Sequence, residues 1–73
     1  MDKLIYSKDH KFLAERLRIA RIESGFDQKH IAEKLGKTQS YISKIESGQR
    51  KIDVVQLKEF AKIYKKSINF FIK

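Results

Sequence analysis

Gln39, Ser40, Tyr41 and Lys44 fall close together in the chain, and side chains of these types can meet the edges of nucleic-acid bases. A glutamine amide pairs bidentately with adenine N6 and N7, a lysine donates to guanine O6 or N7, and a serine hydroxyl serves any base. Tyr41 is open to two uses: against a sugar or a thymine methyl, or as a cover for the core edge beside Ile42. Ser43 faces roughly the same way as Gln39 and suits a phosphate or a base. A second group suits phosphate oxygens. Gln28 opens a helix, where free N–H groups and the positive dipole end attract anions, and Gln49, Arg50 and Lys51 form a basic loop after Gly48. Lys29 and Lys37 are weaker candidates of the same kind. Each of these residues also has a plain reading as a solvated surface side chain.

Other chemistries find little support. The 73 residues include no cysteine, which removes disulfides, thiolate metal sites and thiol catalysis. His10 and His30 lie far apart in sequence without ligand neighbours, and no nucleophile–base set, carboxylate pair or glycine-rich phosphate loop can be assembled. No catalytic residue, metal, cofactor or small-molecule ligand is indicated, so an enzyme is not expected. The opening MDKLIYSKDHK has no long apolar stretch, so neither a signal peptide nor a membrane span is expected, and the expected location is the cytoplasm. Seventeen Lys/Arg against nine Asp/Glu leave a net charge of +8, which implies a polyanionic partner without saying which one.

The elements that must position these side chains are helical. Gly25, Gly36 and Gly48 are the only glycines, each sits where a helix should stop, and there is no proline. Between them apolar residues recur at the helical period: Leu13, Leu17 and Ala20; Ile31, Ala32 and Leu35; Ile42 and Ile45; Val54, Leu57, Phe60, Ala61 and Tyr64. Asp27, Thr38, Asp53 and Ser67 stand just before periodic runs, where a side-chain oxygen can accept from a first-turn N–H. The pattern predicts five helices, at about 9–24, 28–35, 39–47, 54–64 and 68–72, in one all-α domain spanning residues 1–73. Residues 1–7 are a candidate tail in which Leu4, Ile5 and Tyr6 either pack on the body or fray.

Residues 28–47 carry a geometric requirement, since two short helices joined by a tight turn must cross closely. Ala32 permits the approach, Gly36 permits the turn, and Ile31, Leu35, Ile42 and Ile45 form the wedge that fixes the angle. With two caps in place, this pattern points to a DNA-binding helix-turn-helix. Its second helix would bring Gln39 and Ser40 into the major groove, with Lys44 one turn later.

From Leu13 to Phe71 the chain resembles the phage-repressor (Cro/C1-type, xenobiotic-response-element) helix-turn-helix family. The match rests on RLRIARIESGFDQ, on Gln28, Ala32, Gly36, Ile42 and Ile45, and on SYISKIESGQR. Among such proteins it looks most like the small free-standing regulators, including restriction-modification controllers. The resemblance implies a compact five-helix fold like that of lambda repressor, a phosphate contact at Gln28, and an ion pair between Arg21 and Glu46. Two departures stand out. Lys37 replaces a usual apolar residue, and Lys65-Lys66 replace a usual glycine and aliphatic pair after the fourth helix.

The resemblance also implies that Ile68 and Phe71 pack inward, which leaves Phe70 and Ile72 as dimer candidates. A two-fold dimer would hold two recognition helices about 34 Å apart and read a pseudo-palindromic site in double-stranded DNA. The expected function is a sequence-specific transcriptional regulator, a repressor or autoregulator. Two other readings stay open: an antitoxin-like or adaptor module that uses the same fold to bind protein, and a membrane-surface binder using KEFAKIYKKSINFFIK.

Overall fold

A computed structural model describes residues 8–72, and among these residues four α-helices are followed by a 3-10 turn. The helices are α1 (Lys8–Glu23), α2 (Gln28–Leu35), α3 (Gln39–Glu46) and α4 (Val54–Tyr64), and the 3-10 turn is Ile68–Phe70. The candidate tail with Leu4, Ile5 and Tyr6 lies outside the described residues. Among the described residues no helix is long and apolar enough to cross a membrane.

Three starts use the caps read from sequence. Asp27 accepts from the His30 N–H at 2.8 Å, Thr38 from that of Tyr41 at 3.1 Å, and Asp53 from that of Gln56 at 2.8 Å. Gln56 completes a capping box by accepting from the Asp53 N–H at 3.0 Å. Ser67 makes no such bond, and here the expected fifth helix gives way to a three-residue turn. A helix this short gains too few hydrogen bonds to offset its nucleation cost. The turn instead lets Phe71 enter the core at 0% exposure while Phe70 turns toward α1.

All four helices stop by one device. A residue at positive φ reverses the chain, and the next N–H reaches back five residues: Phe26 to Arg21, Lys37 to Ala32, Gln49 to Lys44 and Lys66 to Ala61. Glycine fills three of these left-handed positions, and Lys65 fills the fourth at φ 58°. One apolar cluster joins α1 (Leu17, Ala20) to α2 (Ile31, Ala32), α3 (Ile42, Ile45) and α4 (Leu57, Phe60, Ala61, Tyr64), closed by Phe71. Ala20 and Ala32 are fully packed at 0% and 2% exposure, where larger side chains would part the helices.

Candidate nucleic-acid interface

The candidate surface is the outer side of α3. Ile42 and Ile45 anchor its inner side at 1% and 2% exposure, so Gln39, Ser40, Ser43 and Lys44 are turned outward and exposed. Thr38 fixes the first turn and Gly36 the entry, so the sequence alone dictates where Gln39 emerges.

Behind this surface runs a chain of side-chain hydrogen bonds. Gln39 Nε2 donates to Gln28 Oε1 at 3.4 Å, and Gln28 Nε2 donates to Glu46 Oε1 at 3.1 Å. Glu46 also accepts twice from Arg21, from Nε at 2.7 Å and from Nη2 at 3.1 Å, while Arg21 Nη1 donates to the Phe26 carbonyl at 3.0 Å. The ion-pair side chains are only 12% and 6% exposed. The Glu46 hydrogen bond holds the Arg21 guanidinium above its ordinary pKa, against the opposing pull of burial. Tyr64 shares this electrostatic neighbourhood. Its hydroxyl is buried without a hydrogen-bond partner among the described residues, and burial pushes its pKa up, so it stays neutral.

The phosphate candidates divide by environment. Lys29, Lys37, Gln49, Arg50 and Lys51 are exposed, on the first turn of α2, the α2–α3 turn and the loop after α3. Gln28 is half-buried, with both ends of its amide engaged by neighbours. This candidate phosphate residue is thus already engaged beneath Gln39. The loop after α3 is held at two points, by the Lys44 carbonyl, which accepts from Gln49 and Arg50 N–H at 2.9 and 3.1 Å, and by His10 Nε2, 3.2 Å from the Gly48 carbonyl.

Tyr41 lies at the edge of the core, half-buried and packed against the apolar cluster. Its hydroxyl accepts from Gln56 Nε2 at 2.7 Å, while Lys37 Nζ and Arg50 Cζ lie 5.1 and 4.9 Å from its ring centroid. Sequence reasoning missed Gln56. Its signal was present, three positions after Asp53 in a capping box, but its second partner is 15 residues away.

The dimer candidates differ in openness. Phe70 is half-buried against the Arg16 guanidinium, 3.8 Å from its ring centroid, and meets Phe71 edge-on, whereas Ile72 is 46% exposed. Val54, which the helical period grouped with the apolar run of α4, is instead 61% exposed in its first turn, beside Val55 at 62%.

A capped helix pair, a glycine turn and an outward polar face on the second helix define a helix-turn-helix protein. A family model described as helix-turn-helix matches residues 17–71, and the chain belongs to that family, in its Cro/C1 type. Two solved structures share the fold. The restriction-modification controller protein C.AhdI from Aeromonas hydrophila is 26% identical, with a TM-score of 0.78 over 88% of this chain and 93% of that one. The DNA-binding domain of BldD is 25% identical, with a TM-score of 0.81 over 92% and 97% of the respective chains. No curated protein matches in sequence.

Proposed function

We propose that this chain is a sequence-specific DNA-binding transcriptional regulator, a repressor or autoregulator that binds a pseudo-palindromic operator as a homodimer. The observation that carries the reading is the outward row Gln39, Ser40, Ser43 and Lys44 on a helix whose first polar side chain is tethered through Gln28 to a partly buried ion pair. Such tethering lowers the side-chain entropy lost on meeting a base edge. Gln39, Ser40 and Lys44 read bases, and Gln28, Lys29, Lys37, Ser43, Gln49, Arg50 and Lys51 hold the flanking phosphates. Regulation follows from where the protein sits, since a dimer on an operator excludes or recruits polymerase by position. The likeness to a restriction-modification controller and to a DNA-binding domain supports this reading.

Selection from a random duplex pool identifies the operator. Gln39→Ala then loses discrimination against operator variants by about 1–3 kcal/mol while binding random duplex as before. Equal loss on operator and random DNA would remove Gln39 from base reading. Selection that enriches no sequence would remove sequence-specific binding altogether.

A further inference from the structure

We infer that Tyr41 is a positioning residue that gathers Lys37 and Arg50 into one phosphate-binding clamp along α3, a role that rests on the DNA-binding reading above. The two cations come from opposite ends of that helix. Lys37 follows the left-handed Gly36, with its N–H donating to the Ala32 carbonyl at 2.8 Å, and Arg50 follows the left-handed Gly48, with its N–H donating to the Lys44 carbonyl at 3.1 Å. Both backbones are thus fixed, and both exposed side chains converge on one ring, at 5.1 and 4.9 Å from its centroid.

The ring's π electrons attract each cation and offset their mutual repulsion, so the pair is assembled before an anion arrives. The ring itself is held. It packs on the core, and its hydroxyl accepts at 2.7 Å from Gln56, whose other amide atom is locked in the Asp53 capping box. Swinging the ring into a groove to touch a base would break these contacts. The ligand that matches two gathered cations is a phosphodiester oxygen.

Two measurements test the clamp. In the free protein, NMR should show Arg50 δ-methylene and Lys37 ε-methylene protons shifted upfield relative to Tyr41→Leu; unshifted resonances overturn the gathering. Binding to the selected operator and to a random duplex is then titrated against salt. Tyr41→Phe, which keeps the ring, should stay within about threefold of the wild type, and Tyr41→Leu should weaken both duplexes about tenfold with their ratio unchanged. Its salt slope should fall toward that of the Lys37→Ala/Arg50→Ala double variant, and in that background Tyr41→Leu should cost nothing more. A loss confined to the operator would make Tyr41 a base reader and overturn the clamp, as would wild-type affinity in Tyr41→Leu or fully additive losses. Wild-type protein that binds neither duplex would instead overturn the DNA-binding reading itself.

Discussion

Two arginines of α1, Arg21 and Arg16, reach across the molecule and meet opposite kinds of surroundings. Arg21 is nearly buried and bound by two hydrogen bonds to a carboxylate that is itself 6% exposed. Arg16 is half-buried, donates from Nε to the Phe70 carbonyl at 2.8 Å, and lies over the Phe70 and Phe12 rings at 3.8 and 5.5 Å. In the first region a full charge is answered by a full charge, and the pair continues into Gln28 and Gln39. In the second the cation is answered by a carbonyl dipole and two π faces. Strong, directional matching thus sits beneath the proposed reading surface, and weaker, more forgiving matching holds the C-terminal turn.

The sharpest way to break this contrast is Glu46→Ala. It leaves the partly buried Arg21 cation without its carboxylate, with the Phe26 carbonyl as its remaining hydrogen-bond acceptor among the described residues, and it removes the acceptor for Gln28. Stability measured by urea unfolding should fall by about 3–5 kcal/mol, enough to unfold much of so small a domain. Replacing both partners, as Arg21→Met with Glu46→Leu, should recover most of that loss, because an apolar pair strands no charge. Recovery of stability without recovery of operator selectivity would show that the pair serves positioning more than folding. A loss below about 1 kcal/mol for Glu46→Ala would mean that Arg21 regains water, and the two regions would then be alike.

Arg16→Ala sets the other side of the comparison. It removes one hydrogen bond to a carbonyl and the cation over Phe70, together worth about 1–2 kcal/mol at a half-exposed site. The loss should be local. Hydrogen exchange of the Phe71 amide, which donates to the Ile68 carbonyl at 2.9 Å, should speed up, while amides of α2 and α3 keep their protection. Global loss of protection would mean that the C-terminal turn is as firmly built as the ion-pair region.

The same contrast marks what was legible in the sequence. Helices α1 to α4 were readable because periodicity, cap and glycine stop agree at almost every boundary, and each of these signals acts within about five residues. The 3-10 turn was misread as a helix because four large apolar residues after a serine imitate a helix start, and only the packing of Phe71 decides otherwise. Exposed candidates on α3 followed from the helical period. Their supports did not: Gln28 meets Glu46 across 18 residues and Tyr41 meets Gln56 across 15, and at the C-terminal turn Arg16 meets Phe70 across 54, separations at which sequence spacing carries no geometry. The Arg21–Glu46 pair was anticipated through family resemblance, because 25 residues of separation encode no contact by themselves.

The smallest expected effect tests whether the C-terminal corner also carries a local cost that the recognition side avoids. Lys65 occupies the left-handed position that ends α4, at φ 58° and ψ 45°, whereas Gly25, Gly36 and Gly48 occupy the equivalent positions after the other helices. A side chain with a Cβ is disfavoured there by roughly 1–2 kcal/mol, since the Cβ crowds the following carbonyl oxygen. Lys65→Gly removes that crowding but gives the unfolded chain more freedom, which takes back about 0.5–1 kcal/mol. The net should be a stabilisation of about 0.5–1 kcal/mol in urea unfolding. Lys65→Ala, which keeps the Cβ, should move stability by less than about 0.5 kcal/mol. Lys66 makes the neighbouring contacts, with Nζ 2.8 Å from Glu23 Oε1 and over the Phe70 ring at 4.7 Å, so neither variant disturbs them directly. Stabilisation by glycine but not by alanine identifies backbone strain; equal gains from both would assign the cost to lysine's charge among Lys62, Lys65 and Lys66 instead.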